Sequence, residues 1–459
     1  MARSYECVLL FSIENEKSNT SYMCQVFIMS SDTTVFKSRY VFPVDHAPLS
    51  PGFISVRDGV IEKIDSTVCS EVNWDFGNAA ILPGLVNSHT HLDLCDLHGE
   101  IPVPSSLTDW LRKIVEFRKH QTQYQVVNAV QVGIAQCIEA GVTLVGDIAS
   151  QGLSWPVLVK GPLSARVFFE LIGMHNQRVQ ESMRNLRSWI ATIEPTFRCR
   201  MGASPHAPYS ASPDLYRAVG EIANEQELAV CTHWAESLEE LQLFETGTGP
   251  MRVFLEELNA WDPDWSGDQL VRFSQVTEWM AGQEVLLVHM NYPSSVTFES
   301  RDSRYYKSPV KDPETYLMDR LQKGCKGVVY CPRTHAYFGH SQHGYKDMMR
   351  SNIRVCLGTD SLASAPDLSI LEEMRYLHRT SIGLSNVQLL EMGTINGAMA
   401  LGFDSFLGTL SVGKQADMTV IPLAAGESAD PHDLLFGSSE AVSHTFIKGE
   451  CVFHKGDKG

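Results

Sequence analysis

Two histidines two residues apart, His89 and His91, close the apolar run Leu82-Pro-Gly-Leu-Val-Asn-Ser-His-Thr-His. Residues two apart on a strand share a face. Both imidazoles can therefore converge on one ion, and neutral imidazole is the commonest protein metal ligand. With 16 histidines in 459 residues, one such pair can arise by chance. Its weight comes from further side chains at the ends of other apolar, β-branched runs: His233 and Glu236 in Thr-His-Trp-Ala-Glu, His289 in Val-His-Met-Asn-Tyr, and Asp360 in Leu-Gly-Thr-Asp-Ser. His89, His91, His233 and Asp360 form a nitrogen- and oxygen-rich set that suits Zn²⁺ or Fe²⁺ better than Mg²⁺ or Ca²⁺. Glu236 and His289 remain beside it as acid–base groups. A bound metal lowers the pKa of water from about 15.7 to about 7, and a neighbouring carboxylate can carry the proton. Each residue alone has a plainer explanation. A strand-end histidine is usually just hydrogen-bonded, Glu236 could face a helix N-terminus and Asp360 could cap a helix. Those explanations do not account for their joint placement.

Such side chains need strands to aim them. Apolar strands alternate with longer helical patterns, the mark of βα units and a parallel sheet. Eight candidate strands stand at 82–88, 142–148, 166–171, 200–204, 228–232, 284–288, 327–330 and 353–359. Eight parallel strands over this length predict an α/β fold, a (β/α)8 TIM barrel over 82–408, whose active site lies at the C-terminal strand ends. The largest insertion falls between strands five and six and holds the polar stretch beginning at Asn259. Alternation before the barrel, with a hairpin signal at Asp58-Gly59, is mirrored near the C-terminus by Ala416-Asp-Met-Thr-Val-Ile and Ser443-His-Thr-Phe-Ile. This predicts a small β-sandwich-like domain composed of 37–81 and 409–459, with 1–36 as an N-terminal extension.

Hydrophobic content of 44% and charged content of 20% are those of a soluble globular enzyme, and the net charge of −17 leaves no basic stripe for nucleic acid. The 11 cysteines form no Cys-x-x-Cys pair, as expected of buried free thiols in a reducing cytoplasm. No stretch approaches a membrane span, and the early run Val8-Leu-Leu-Phe-Ser-Ile is too short for a signal sequence. His98-Gly-Glu100 echoes another type of zinc deaminase, but its Pro-Cys-x-x-Cys partner is missing. Dinucleotide and phosphate loops and the Gly-x-Ser-x-Gly elbow are absent too.

The chain closely resembles the amidohydrolase superfamily, in the branch of cytosine, S-adenosylhomocysteine and aminodeoxyfutalosine deaminases and triazine chlorohydrolases. The resemblance spans about residues 38–455. It rests on Pro83-Gly-Leu-Val-Asn-Ser-His-Thr-His, Pro205-His-Ala-Pro-Tyr-Ser, the His-x-x-Glu at 233–236, Gly358-Thr-Asp-Ser and Gly408-Thr-Leu-Ser-Val-Gly-Lys-Gln-Ala-Asp. It implies that His89, His91, His233 and Asp360 hold one divalent ion, zinc with iron as the alternative. It makes Glu236 the proton shuttle and His289 the group orienting the attacking water, with Asp360 also serving catalysis. His206 and Trp110 would contact substrate. Strand seven departs from the pattern: Tyr330-Cys-Pro-Arg-Thr-His335 stands where relatives carry Ser-Asn, so His335 is either a substrate donor or a structural replacement. Nearby His340 and His343 read as a solvated loop. The expectation is a cytoplasmic deaminase of an amino-substituted heteroaromatic ring, a nucleoside-like adenine compound being favoured, with a homo-oligomer compatible. Hydrolysis of a C–Cl or cyclic amide bond is one rival, and a non-catalytic interaction protein on the same fold is another.

Overall fold

The structure, a computed structural model, describes residues 33–67, 71–261, 283–292 and 325–456, with Gln275, Val276 and Trp279. Residues 1–32, most of the extension read from sequence, and most of the insertion beyond Trp261 lie outside the described residues.

Eight parallel strands follow one another around a barrel in chain order. They are Leu85–Thr90, Val142–Ser150, Ser164–Leu171, Cys199–Pro205, Ala229–Trp234, Val285–His289, Cys325–Tyr330 and Val355–Leu357, hereafter strands one to eight. Parallel strands covered on both faces read as continuous apolar runs, and these are buried along nearly their whole length. Several helices on the outside start at side-chain caps that satisfy free amides. Ser106 caps Leu107–His120, Thr122 builds a capping box on Gln123–Glu139, and Ser237 caps Leu238–Thr246.

The seam between strands one and eight is stitched mainly just beyond strand eight. The amides of Thr359 and Asp360 donate to the His89 carbonyl at 3.2 and 3.1 Å. Asn87 and Thr359 exchange two bonds, 2.8 and 3.1 Å long. Regular pairing in strand eight therefore stops at Leu357, short of the expected 359, and the bend brings Asp360 onto His89.

The expected first strand, 82–88, is in fact two strands in different sheets. Ala79–Pro83 joins a five-stranded sheet with Tyr40–Val41, Met418–Pro422, His444–Ile447 and Glu450–His454, while Leu85–Thr90 enters the barrel. Gly84 sits between them, and any Cβ there would run into the Thr143 side chain. A four-stranded sheet of Thr34–Ser38, Gly52–Arg57, Val60–Asp65 and Trp74–Asp75 completes the β layer. It contains the hairpin at Asp58-Gly59, with Arg57 opposite Val60, and its first strand starts inside the presumed extension. Phe36, Ile54, Ile61, Met418 and Phe446, from both ends of the chain, share one buried core.

The N-terminal end of the barrel is closed by two arginines. Arg166 donates to the carbonyls of Met201 (2.8 Å) and Leu401 (3.1 and 2.8 Å). Arg200, the cation of strand four, donates to the Gly402 carbonyl and lies 4.5 Å from the Phe403 ring centre. Among the described residues no helix is long and apolar enough to cross a membrane.

Candidate metal centre and active site

At the opposite end His89, His91 and His233 converge, each offering a ligand atom within 4.8 Å of the others. His89 ends strand one one residue before the last, and His91 follows that strand, where the chain turns into Leu92–Leu97. The turn is held by Asp147 of strand two, whose carboxylate accepts from the Leu92 amide (2.9 Å) and Ser154 (2.5 Å). Burial pushes that carboxyl up to about 7. His233 presents its outer nitrogen because its Nδ1 lies 2.9 Å from the His206 carbonyl, which can only accept. Asp360 Oδ1 lies 3.5 Å from His89 Nε2 and 3.7 Å from His91 Nε2, and its Oδ2 accepts from Ser364 at 3.1 Å.

Both ring nitrogens of His89 and Nδ1 of His91 are buried with no hydrogen-bond partner. Orphaned polar atoms of this kind cost folding energy and call for an explanation. Burial holds His89 and His91 well below the usual histidine range and brings His233 to about 4, so all three are neutral. Neutral, unpartnered imidazoles facing a carboxylate oxygen are the donor set of a divalent cation. The residues fit such an ion.

Glu236 and His289 face each other beside this set, Oε1 to Nε2 at 3.5 Å. Burial, then Asp360 and Glu240, push the Glu236 carboxyl well above the carboxylate range. Its turn is fastened from two sides. Glu240 accepts from the Glu236 amide at 2.8 Å, and Asn291 Nδ2 donates to the Glu236 carbonyl at 2.9 Å. His289 ends strand six at φ +70°, followed by Met290 at +53°, both left-handed without being glycine. Such conformations cost about 1–3 kcal/mol each and persist only where surroundings impose them.

His206 stands at the end of strand four, its ring 4.9 Å from that of His233 and its Nδ1 2.6 Å from Ser210 Oγ. Behind it lies a network that the sequence did not announce. Arg118 bridges Asp93 (3.2 Å) and Glu170 (2.9 Å), and Glu170 Oε1 is 4.0 Å from His206 Nε2. Burial alone would raise the Glu170 carboxyl, but the Arg118 charge and His206 hold it below its ordinary value. Trp110 donates to the Ala363 carbonyl at 3.3 Å and packs edge-on against Phe338, so it braces the segment after Asp360. Of the two readings of His335, its surroundings fit the structural replacement. It is buried, with Nδ1 3.0 Å from Asn291 Oδ1 and Nε2 2.6 Å from the Ser341 carbonyl, two acceptors of which a neutral imidazole can serve one. His343, read as surface, is buried as well.

A barrel whose C-terminal mouth gathers three histidines and an aspartate defines a class of metal-site hydrolase folds, and comparison with known proteins narrows it. The amidohydrolase family profile matches residues 80–452. A 5-methylthioadenosine/S-adenosylhomocysteine deaminase of Halothermothrix orenii is 27% identical over 443 residues, 90% of this chain and 91% of that one. The fold is shared with Helicobacter pylori aminofutalosine deaminase (TM-score 0.75, 20% identity, 92% of this chain, 100% of that one). It is shared also with a zinc-complexed atrazine chlorohydrolase of Arthrobacter aurescens (TM-score 0.69, 18% identity, 91% and 94%). The protein belongs to the amidohydrolase family. It is a hydrolase acting on carbon–nitrogen bonds, with a site suited to a divalent metal.

Proposed function

We propose that the protein is a hydrolytic deaminase of an amino-substituted heteroaromatic ring, with a nucleoside-like adenine compound as substrate and ammonia as product. The observation that carries this is the Glu236–His289 pair, 3.5 Å apart, set against buried, unpartnered imidazoles. His89, His91, His233 and Asp360 would hold one ion, zinc with iron as the alternative. A bound divalent ion lowers the pKa of water to about 7. Glu236 accepts a proton from the attacking water and delivers it to a ring nitrogen as the water oxygen adds to the amino-bearing carbon. His289 orients that water. Asp360 passes the second proton to the departing amine, the C–N bond breaks, and ammonia leaves. His206 is the polar group at the mouth best placed to meet the ring.

The names of the relatives support adenine compounds, and the barrel loops set the choice among them. Ammonia release from methylthioadenosine, S-adenosylhomocysteine, 5′-deoxyadenosine and adenosine should identify at least one substrate. The likeness to a chlorohydrolase favours a second reading, C–Cl hydrolysis. Chloride release from a chlorotriazine, with no ammonia from any adenine compound, would replace the first reading with the second. No turnover of amine, chloride or cyclic amide would favour a non-catalytic protein.

A further inference from the structure

The loop after strand seven carries buried histidines that the mechanism does not use, and two of them grip the turns bearing His289 and Glu236. His343 has a determined tautomer. Its Nδ1 accepts from the Tyr345 amide at 2.9 Å, so its Nε2 carries the hydrogen and donates to the His289 carbonyl at 2.6 Å. Its ring stacks on Tyr330 at 4.0 Å. Burial brings its pKa to about 3, which keeps that tautomer neutral.

The carbonyl it holds belongs to an unusual turn. The Met290 amide donates to the Val288 carbonyl at 3.1 Å, across a His289 at φ +70°. This is a γ-turn of the rare, strained hand. The turn is also tied to its neighbour after strand five. Met290 donates to the Trp234 carbonyl (2.9 Å), Tyr292 to Ala235 (3.2 Å) and Asn291 Nδ2 to Glu236 (2.9 Å). Behind Asn291 stands His335, its Nδ1 3.0 Å from Asn291 Oδ1. The two turns are thus laced to each other on one side and to the strand-seven loop on the other.

We infer that His343, with His335 behind Asn291, is a positioning residue that holds the strained His289 turn so that His289 and Glu236 face each other. The inference rests on the roles proposed for those two residues. Its chemistry is one donor placed on one carbonyl: among the described residues no other group is bonded to that carbonyl to oppose relaxation of the turn.

The test compares two variants in the full chain. His343→Phe keeps the ring and its stacking but cannot donate, whereas His343→Gln retains an N–H donor. We expect His343→Phe to lose about 10- to 100-fold in kcat, the scale of a roughly 1 Å misplacement. KM and metal content should stay within about twofold, and His343→Gln should recover most of the loss. A crystal structure of His343→Phe should show His289 outside the left-handed region or a wider Glu236–His289 gap. Unchanged kcat, a loss explained by missing metal, or failure of the glutamine to recover activity overturns the inference. Should the phenylalanine variant not fold, His335→Leu is read by the same measures. If the wild type deaminates nothing, the functional reading fails separately, and the structure of His343→Phe still decides: an unmoved His289 refutes the positioning role.

Discussion

The two ends of the barrel hold polar groups in opposite condition. At the N-terminal end the three nitrogens of Arg166 are matched by the carbonyls of Met201 and Leu401, although burial pulls its pKa down to about 10. At the C-terminal end His89, wholly buried where Arg166 is only partly so, has no hydrogen bond on either nitrogen. Satisfied burial at one end serves stability. Unsatisfied burial at the other is a cost to folding that a bound ligand can offset, which is why polar residues at barrel strand ends read as functional.

The sharpest way to break this contrast is to remove the ligand. Dialysis against a chelator should abolish turnover, by more than about 10³-fold, and zinc should restore it. Melting should shift as well, because an ion bound only by the folded state at 100 times its Kd adds about 2.7 kcal/mol. Activity and melting temperature both indifferent to chelation would remove the metal from the account. Elemental analysis of protein purified without added metal should give about one equivalent. Two tightly bound ions would refute the single-ion site, for which strand four offers Arg200 and no lysine.

Next in size is Glu236→Gln, which keeps shape but removes the base. A loss in kcat of about 10²–10³-fold is expected with metal content retained. Near wild-type deamination would show that another group moves the proton.

Much of this contrast was legible in the sequence, for a physical reason. Strands buried on both faces must be apolar throughout, so all eight barrel strands were marked, and a polar residue ending such a run stood out. His89, His91, His233, Glu236, His289 and Asp360 were visible in that way. Packing between distant elements was not. Arg118 meets Asp93 and Glu170 across 25 and 52 residues, and no local pattern announces such a pairing. His343 sits in a polar, His-rich stretch that resembles solvated surface until Tyr330 covers it. The double nature of residues 79–90 was hidden too, because the two strands differ in sheet but not in hydrophobicity. Only Gly84 betrays the corner, by the space its missing Cβ leaves for Thr143.

At the N-terminal end Arg166→Met should keep the stem and lose the guanidinium, leaving the Met201 and Leu401 carbonyls unmatched. A loss of about 1–3 kcal/mol is expected from part-buried acceptors deprived of their donors. The kcat of the folded fraction should be unchanged. Denaturant midpoints with a constant slope measure the first, and kinetics normalised to folded protein measure the second. A large fall in kcat would mean that the two ends are coupled, and the division between a stabilising end and a working end would be lost.

The smallest expected effect is the most discriminating, because its sign should reverse with metal. His89→Leu replaces an imidazole with an aliphatic side chain of similar bulk in a site with no exposure. In metal-free protein the wild type carries two buried nitrogens without a hydrogen bond, a penalty of about 1–3 kcal/mol for such a group. The leucine carries none, and its branched shape offsets part of the gain by imperfect packing. Metal-free His89→Leu should therefore be as stable as wild type or about 1 kcal/mol more so, as happens where a site is built for function at the expense of stability. With saturating zinc the order should invert, since only the wild type gains the binding term. Urea titrations of both proteins, with and without zinc, give the four values required. If the metal-free variant were less stable by more than about 2 kcal/mol, His89 would be earning its place in the apo fold through packing. Its unpartnered nitrogens would then say little about what the site is for.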